Sequence, residues 1–293
     1  MLLAFADERG LAEKLASQLG CELAFVAEHR FPDGEIKLTL PSRLPQRVVV
    51  LRGLHQPNER LVQLLLTAKT ARRLGATRLV LAAPYLAYMR QDIEFQPGEA
   101  ISQRIVAGFL GELFERVVTI DPHLHRIASL DEVMQGSRGI ALTAAPLLGE
   151  WIAAQWAPSQ KPLLVGPDEE ALQWVRAAGA VTGLEGFVCR KTRHGDRDVD
   201  VELPDVDIAG RAIVLIDDVA STGHTLVQAA QALRSRGVAS IDVAVVHALF
   251  GGDAIERLLA AGIRRVWSTD AVPHSSNVVT VAPMLARAIA DGL

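Results

Sequence analysis

At 293 residues the chain is long enough for two units that each bury a core, and a composition of 49% hydrophobic and 22% charged residues is that of a globular protein. A formal charge of −4 gives no broad basic field, which argues against nucleic-acid binding and leaves any anion to be held by local clusters. Cys21 and Cys189 stand in no metal-ligand spacing, the N-terminus lacks a basic leader, and no apolar run reaches the roughly 18 residues of a membrane span; reduced thiols, a cytoplasmic setting and no membrane contact are expected.

Strand-like and helix-like segments alternate almost throughout. Leu2 to Phe5, Leu23 to Val26, Val48 to Leu51, Arg78 to Ala83 and Arg116 to Ile120 read as strands, with helices over Gly10 to Leu19, Glu59 to Arg73 and Ala100 to Leu113. A second run follows the stretch Thr143 to Lys161. Its strands are Pro162 to Val165, Gly186 to Arg190, Ala212 to Ile216, Ser240 to His247 and Arg265 to Ser268, and its helices include Ala144 to Gln155, Glu169 to Ala177, Leu226 to Arg236 and Asp253 to Ala261. The closing Val278 to Leu293 is expected to be helical. The pattern predicts an α/β protein with mainly parallel sheets; no short-range sequence repeat is evident, so any duplication would be visible only in structure.

Chemistry-bearing clusters sit between these elements. In Arg30-Phe-Pro-Asp-Gly-Glu-Ile-Lys37, Pro32 and Gly34 argue for a turn. Phe31 then either stacks on a base, with Asp33 or Glu35 accepting from its amine, or anchors a hairpin whose acids face water. In Pro84-Tyr-Leu-Ala-Tyr-Met-Arg-Gln-Asp92 the Arg90 fork suits phosphate and Gln91 can both donate and accept; the plainer reading is a surface contact from Arg90 to Asp92. After the next strand, Asp121-Pro-His-Leu-His125 offers His123 to a nucleotide-bound metal or to phosphates, with His125 the weaker candidate, or either ring to a cap or core. Asp168, in Gly166-Pro-Asp-Glu-Glu-Ala171, either caps the following helix or holds Mg²⁺. Lys191 and Arg193 lie two apart and share a face if their strand continues; they either stabilise a transferring phosphoryl group or end a solvated strand.

The most specific segment is Arg211 to Thr225. Its apolar strand runs into Asp217 and Asp218 and then into Ser221, Thr222, Gly223, His224 and Thr225, which open a helix. Such a turn can aim N–H groups and hydroxyls at one phosphate, while the acids accept from vicinal ribose hydroxyls or hold Mg²⁺. The plain alternative is a βα turn capped by Ser221 or Thr222.

Taken in order, Phe-Pro-Asp-Gly-Glu, Tyr-x-Arg-Gln-Asp, Asp-Pro-His, Pro-Asp, Lys-Thr-Arg and the Asp-Asp loop resemble the ribose-phosphate pyrophosphokinases, from about Phe31 to the Val281-Ala-Pro-Met-Leu285 tail. The resemblance implies two phosphoribosyltransferase-like domains related by a pseudo-twofold axis. These are expected over residues 1–145 and 146–277, with the segment 278–293 packing back on the first. It implies transfer of the pyrophosphoryl group of MgATP to ribose 5-phosphate in a homo-oligomer, a dimer or hexamer. Phe31, Asp33, Gly34, Glu35, Arg90, Gln91 and Asp92 would then meet ATP, and His123 and Asp168 would lie near Mg²⁺. Lys191 and Arg193 would be the catalytic basic pair, and Asp217, Asp218 and Ser221 to Thr225 the ribose 5-phosphate site. The chain departs from the family pattern at Glu169-Glu170, where a glycine is usual, at His224, and in Ile93 to Glu99, which lacks the basic form of phosphate-activated members. A catalytically silent associated subunit and a phosphoribosyltransferase are the alternative readings.

Overall fold

A computed structural model describes residues 1–124, 126–193 and 199–291, with the side chains of 191–193 and 199–201 left out. Two compact units emerge, residues 1–142 with 271–273 and 280–293, and residues 143–270 with 274–279.

The first unit is built on a sheet of β1 (Leu2–Ala4), β2 (Leu23–Phe25), β5 (Arg47–Leu51), β6 (Arg78–Ala83), β7 (Arg116–Ile120) and β8 (Arg138–Leu142), in the order β2-β1-β5-β6-β7-β8 with every pair parallel. A separate antiparallel pair, β3 (Ala27–Arg30) and β4 (Ile36–Thr39), is inserted after β2. Helices α1 (Arg9–Leu19), α2 (Pro57–Arg73) and α3 (Ser102–Leu113) make the crossovers that a parallel sheet requires. The central strands are apolar on both faces, as burial between helix layers demands: Val48, Val50, Leu79, Leu81 and Val117 join Leu64, Ala68 and Leu110 in one core.

The second unit repeats this plan. Its sheet runs β10 (Gly186–Val188), β9 (Leu163–Gly166), β13 (Ala212–Ala220), β14 (Ser240–Ala248), β15 (Ile263–Thr269) and β16 (Asn277–Val279), again all parallel. An antiparallel pair, β11 (Arg190–Arg193) and β12 (Val199–Glu202), is again inserted after the second strand. Helices α4 (Ala145–Ala154), α5 (Leu172–Thr182), α6 (His224–Ser235) and α7 (Ala254–Ala260) complete it. Counted within each sheet, both strand orders are 2-1-3-4-5-6, a duplication carried by topology. In both, the order reverses between the first and third strands, and a crevice at the carboxyl ends of such a pair is where open α/β sheets bind ligands.

The last helix, α8 (Ala282–Ala290), packs on α1 in the first unit through a face that includes the buried Leu285 and Ile289. The expectation of helix from Val278 onward needs correction, because Asn277–Val279 is the edge strand β16 and the helix starts at Pro283's neighbour Ala282, with proline in its first turn. The expected strand Gly186 to Arg190 is likewise broken at Cys189, whose N–H turns to the Gly166 carbonyl (2.9 Å) before β11 leaves the sheet. All four tryptophans, at 151, 156, 174 and 267, belong to the second unit, and Tyr85 and Tyr88 to the first. No helix among the described residues is long and apolar enough to cross a membrane.

Candidate active site

In the second unit the reversal lies between β9 and β13. β13 runs farther than its apolar stretch suggests: Asp217 and Asp218 are inside the strand, which pairs on through Ala220 with Ala248. Asp218 is 3% exposed and its Oδ1 accepts from the Val219 N–H (2.8 Å), whereas Asp217 Oδ1 accepts from the Asp218 N–H (3.0 Å). Asp168 follows β9 by two residues. It occupies the N-cap position of a 3₁₀ turn over Glu169–Ala171, but its carboxylate makes no capping hydrogen bond, so the capping alternative does not describe this side chain. It acts instead on Asp217. Withdrawal from water, then the neighbouring Asp218 carboxylate, then that of Asp168, push the Asp217 carboxyl well above its ordinary range. A cation or a hydroxyl-rich ligand beside Asp217 relieves the cost of its charge.

Beyond β13 the chain makes the expected turn. Gly223 sits at φ +72° at the N-cap of α6, a left-handed conformation in which a side chain would be strained, and its missing Cβ would come within 3.3 Å of Leu258. Ser221, Thr222 and His224 are exposed and Gly223 is buried. Gly223, at the N-cap, has no side chain to close the helix, but one residue earlier Thr222 Oγ1 accepts from the His224 N–H (3.4 Å), so of the two capping alternatives the Thr222 one is met, by a long contact. The turn's carbonyls are held from behind: the Gly251 N–H donates to Ser221 O (3.4 Å) and Arg257 Nη2 to Thr222 O (2.9 Å), while Arg257 also pairs with Asp253 (3.2 Å). With the carbonyls so engaged, the turn presents the amino end of a 12-residue helix, a site for an anion. Neither Gly251 nor Arg257 figures in the sequence reading, because such bracing comes from residues roughly 30 positions away.

Glu169 and Glu170 are exposed; Glu169 meets Arg190 at 4.0 Å across solvent. β11 continues through Arg193, the condition set for Lys191 and Arg193 to share a face, but the side chains of both lie outside the described residues. His125 also lies outside them.

In the first unit Phe31 to Glu35 form the tip of the β3–β4 hairpin. The Phe31 N–H donates to Glu35 O (2.8 Å), the Glu35 N–H to Asp33 Oδ1 (3.1 Å), and Gly34 takes φ +94°. The Phe31 ring is 38% exposed and meets His29 edge-on at 4.8 Å. A groove of about 380 Å³, lined by Gly34, Glu35, Ile36, Glu59, Val62 and Leu66, runs beside the tip and is of a size that admits a small molecule. Arg90 is exposed on the loop after β6. Gln91 Nε2 donates to Ile93 O (3.1 Å) and Glu99 Oε2 (3.0 Å), and the same Glu99 oxygen accepts from the Phe95 and Gln96 N–H groups, so the segment Ile93 to Glu99 is gathered round its own acid. Asp92 is 5% exposed and takes Arg126 at 2.6 Å, so its partner is Arg126 and the surface contact from Arg90 does not form. His123 follows β7 and is half-buried. It belongs to a different unit from Asp168, and among the described residues no three His, Cys, Asp or Glu side chains are arranged to hold a metal.

The reversal point of the first sheet, between β1 and β5, is filled by the protein itself. Arg52 (4% exposed) donates to Asp7 Oδ1 (2.6 Å), Glu8 Oε2 (3.1 Å) and Gln63 Oε1 (2.8 Å); Arg60 donates to Asp7 Oδ2 (2.8 Å) and Gly53 O (2.8 Å); Glu8 Oε1 accepts from the Gly53 N–H (2.7 Å). Burial pushes the Glu8 carboxyl up despite Arg52, whereas for Asp7 burial is outweighed by Arg52 and Arg60 and the carboxyl is held low. His55, beside Arg60 (3.2 Å), is lowered to about 4 by burial and by the Arg60 charge. The sequence carries a signal for this network: Leu64, Ala68 and Ala71 mark the buried stripe of α2, and Arg60, Gln63 and Thr67 lie on it.

A family model described as the N-terminal domain of ribose phosphate pyrophosphokinase matches residues 1–113, and a phosphoribosyl transferase domain model matches residues 140–259. A ribose-phosphate pyrophosphokinase of Methanopyrus kandleri is 36% identical over 290 residues, 99% of this chain and 98% of that protein. One from Methanothermobacter thermautotrophicus is 31% identical over 293 residues, covering 99% and 100%. The crystal structure of phosphoribosylpyrophosphate synthetase from Mycobacterium smegmatis matches with a TM-score of 0.84 at 25% identity, over 100% of this chain and 99% of that one. Whole-length likeness in sequence and fold, with both family models matched in order, places one conclusion beyond the reach of any single motif: the chain belongs to the ribose-phosphate pyrophosphokinase family.

Proposed function

We propose that the chain joins ATP and ribose 5-phosphate: the anomeric hydroxyl oxygen attacks the β-phosphorus, the bond to the α,β-bridging oxygen breaks, and phosphoribosyl pyrophosphate and AMP form. The observation that carries the reading is the placement of Asp168, two residues past β9, next to the strand β13 that bears Asp217, at the reversal point of the second sheet and beside the amino end of α6. Ser221 to Thr225 would take the 5-phosphate and Asp217 the ribose hydroxyls, with Asp218 stiffening the strand beneath. Phe31 would stack on adenine, Asp33 and Glu35 accept from its amine, and Gly34 permit the turn. Arg90 would meet the phosphates. Gln91 and Asp92 hold that loop in place through Glu99 and Arg126.

Mg²⁺ suits this donor set. It binds through one or two carboxylates plus substrate phosphates and needs no cage of protein ligands. Asp168 is the carboxylate of choice, and His123 would approach through the nucleotide; the ion, when bound, neutralises charge on the polyphosphate. Lys191 and Arg193 would stabilise charge as the pyrophosphoryl group transfers, and alignment with neutralisation suffices without a covalent enzyme intermediate. A cytoplasmic homo-oligomer, dimer or hexamer, completes the reading. Incubation of the purified chain with MgATP and ribose 5-phosphate should give AMP and phosphoribosyl pyrophosphate one-to-one; ADP as product, or AMP independent of ribose 5-phosphate, refutes it.

A further inference from the structure

The β3–β4 hairpin that carries Phe31 is a two-stranded sheet of its own, hydrogen-bonded to no strand of the six-stranded sheet. Such a hairpin is marginal alone, and all four residues of β3 are exposed, so apolar packing gives the tip little direction from that side. On that side a polar chain provides it, beside the packing of Leu38 of β4 against the core. Arg52, fixed by Asp7 and Glu8 at the end of β5, donates through Nε to Gln63 Oε1 (2.8 Å). The Gln63 amide, 2% exposed on α2, donates through Nε2 to Glu28 Oε2 (2.6 Å), and Glu28 pairs with Arg30 (3.5 Å), the residue before Phe31. Arg30 also bonds Glu59, which Gln63 Nε2 reaches at 3.5 Å. A guanidinium can only donate and an ionised carboxylate only accept, so a side chain bridging them must do both, and this fixes the orientation of the amide.

We propose that Gln63 is a positioning residue for nucleotide recognition, its amide transmitting the fixed geometry of Arg52 through Glu28 to the Phe31–Glu35 loop. The inference rests on the reading that this loop meets adenine. It makes selectivity for ATP depend on a side chain that touches no substrate.

The test is steady-state kinetics on the full-length chain. Gln63→Glu keeps shape and still accepts from Arg52, but sets a carboxylate against Glu28; KM for ATP should rise about tenfold, the scale of one charge-assisted hydrogen bond lost, with kcat within about twofold and KM for ribose 5-phosphate unchanged. Adding Glu28→Gln restores donor to acceptor with the roles exchanged, and KM for ATP should return to within about threefold of the parent. Glu28→Ala, which cuts the chain at its partly exposed end, should raise KM for ATP without threatening the fold. Phe31→Ala separates the two claims: an unchanged KM for ATP overturns the loop reading and the inference together. A raised KM in Phe31→Ala with an unchanged one in Gln63→Glu and Glu28→Ala overturns the inference alone. Equal losses toward both substrates, or failure of the paired exchange to rescue, also refute it by showing a general packing role.

Discussion

Acidification should loosen the first unit through a single imidazole. His55 accepts from Arg60 and is lowered from 6.5 to about 4, first by burial, then by the Arg60 guanidinium; Asp7 pulls the other way and Arg52 adds to the lowering. A proton is therefore held more weakly in the folded protein than in the unfolded chain. As pH falls through 6.5 the unfolded chain takes up the proton first, and stability drains away until about pH 4, below which both states are protonated. Between pH 7.5 and 5.0 linkage gives a loss of about 2 kcal/mol, and solvent screening of this partly exposed ring reduces it to about 1 kcal/mol. The comparison protein is His55→Asn, whose side-chain oxygen accepts from Arg60 but does not titrate in this range. Glu8, whose carboxyl is raised, acts in the opposite sense but is common to both proteins, so their difference isolates the ring. Native-state hydrogen exchange of peptides covering β1 and β5, corrected for intrinsic rates, reads the local opening free energy at both pH values. Equal losses in the parent and in His55→Asn would refute the argument.

Arg52→Met strands the buried Glu8 carboxylate and should destabilise the first unit by about 3–5 kcal/mol in urea denaturation, while Arg52→Met with Glu8→Gln should recover part of it; a loss below about 1 kcal/mol contradicts a tightly coupled pair. Lys191→Ala and Arg193→Ala should each lower kcat by roughly 10²-fold or more with little change in KM for ribose 5-phosphate, and near-normal kcat in both would reduce them to a solvated strand end. Glu170→Gly should lower KM for MgATP if the exposed carboxylate faces the triphosphate, or raise the Mg²⁺ requirement if it recruits a cation. Kinetics over both concentrations distinguish these, and unchanged values mean that it points into solvent.

Long apolar runs made the fold class readable: a stretch such as Leu79 to Ala83 is hydrophobic on both faces, which only a covered parallel strand explains. Short or polar strands escaped. β12 (Val199–Glu202) alternates well but lies in a charged arm, β8 lies at a sheet edge and half-exposed, and β16 is three residues long. At the site, the turn at Gly223 was legible because left-handed backbone and a helix start both have local signatures. The extent of β13 was not, since two acids look like a strand's end until Val245 and Ala248 are seen across the ladder. Asp168 shows the limit most clearly. Its sequence neighbourhood says cap, and only the strand beside it shows a carboxylate set against Asp217.

The uneven distribution of aromatic residues makes the chain spectroscopically two-coloured. Indole emission originates wholly in the half bearing Asp217, with Trp156 and Trp267 edge-to-face at 5.9 Å and the Arg265 guanidinium 4.5 Å from the Trp267 ring. Phenol absorption originates wholly in the other half, at Tyr85 and Tyr88 on the loop that carries Arg90. Each half can thus be followed unlabelled as substrates are added, the indoles reporting on the half that bears Asp217 and the phenols on the half that bears Arg90.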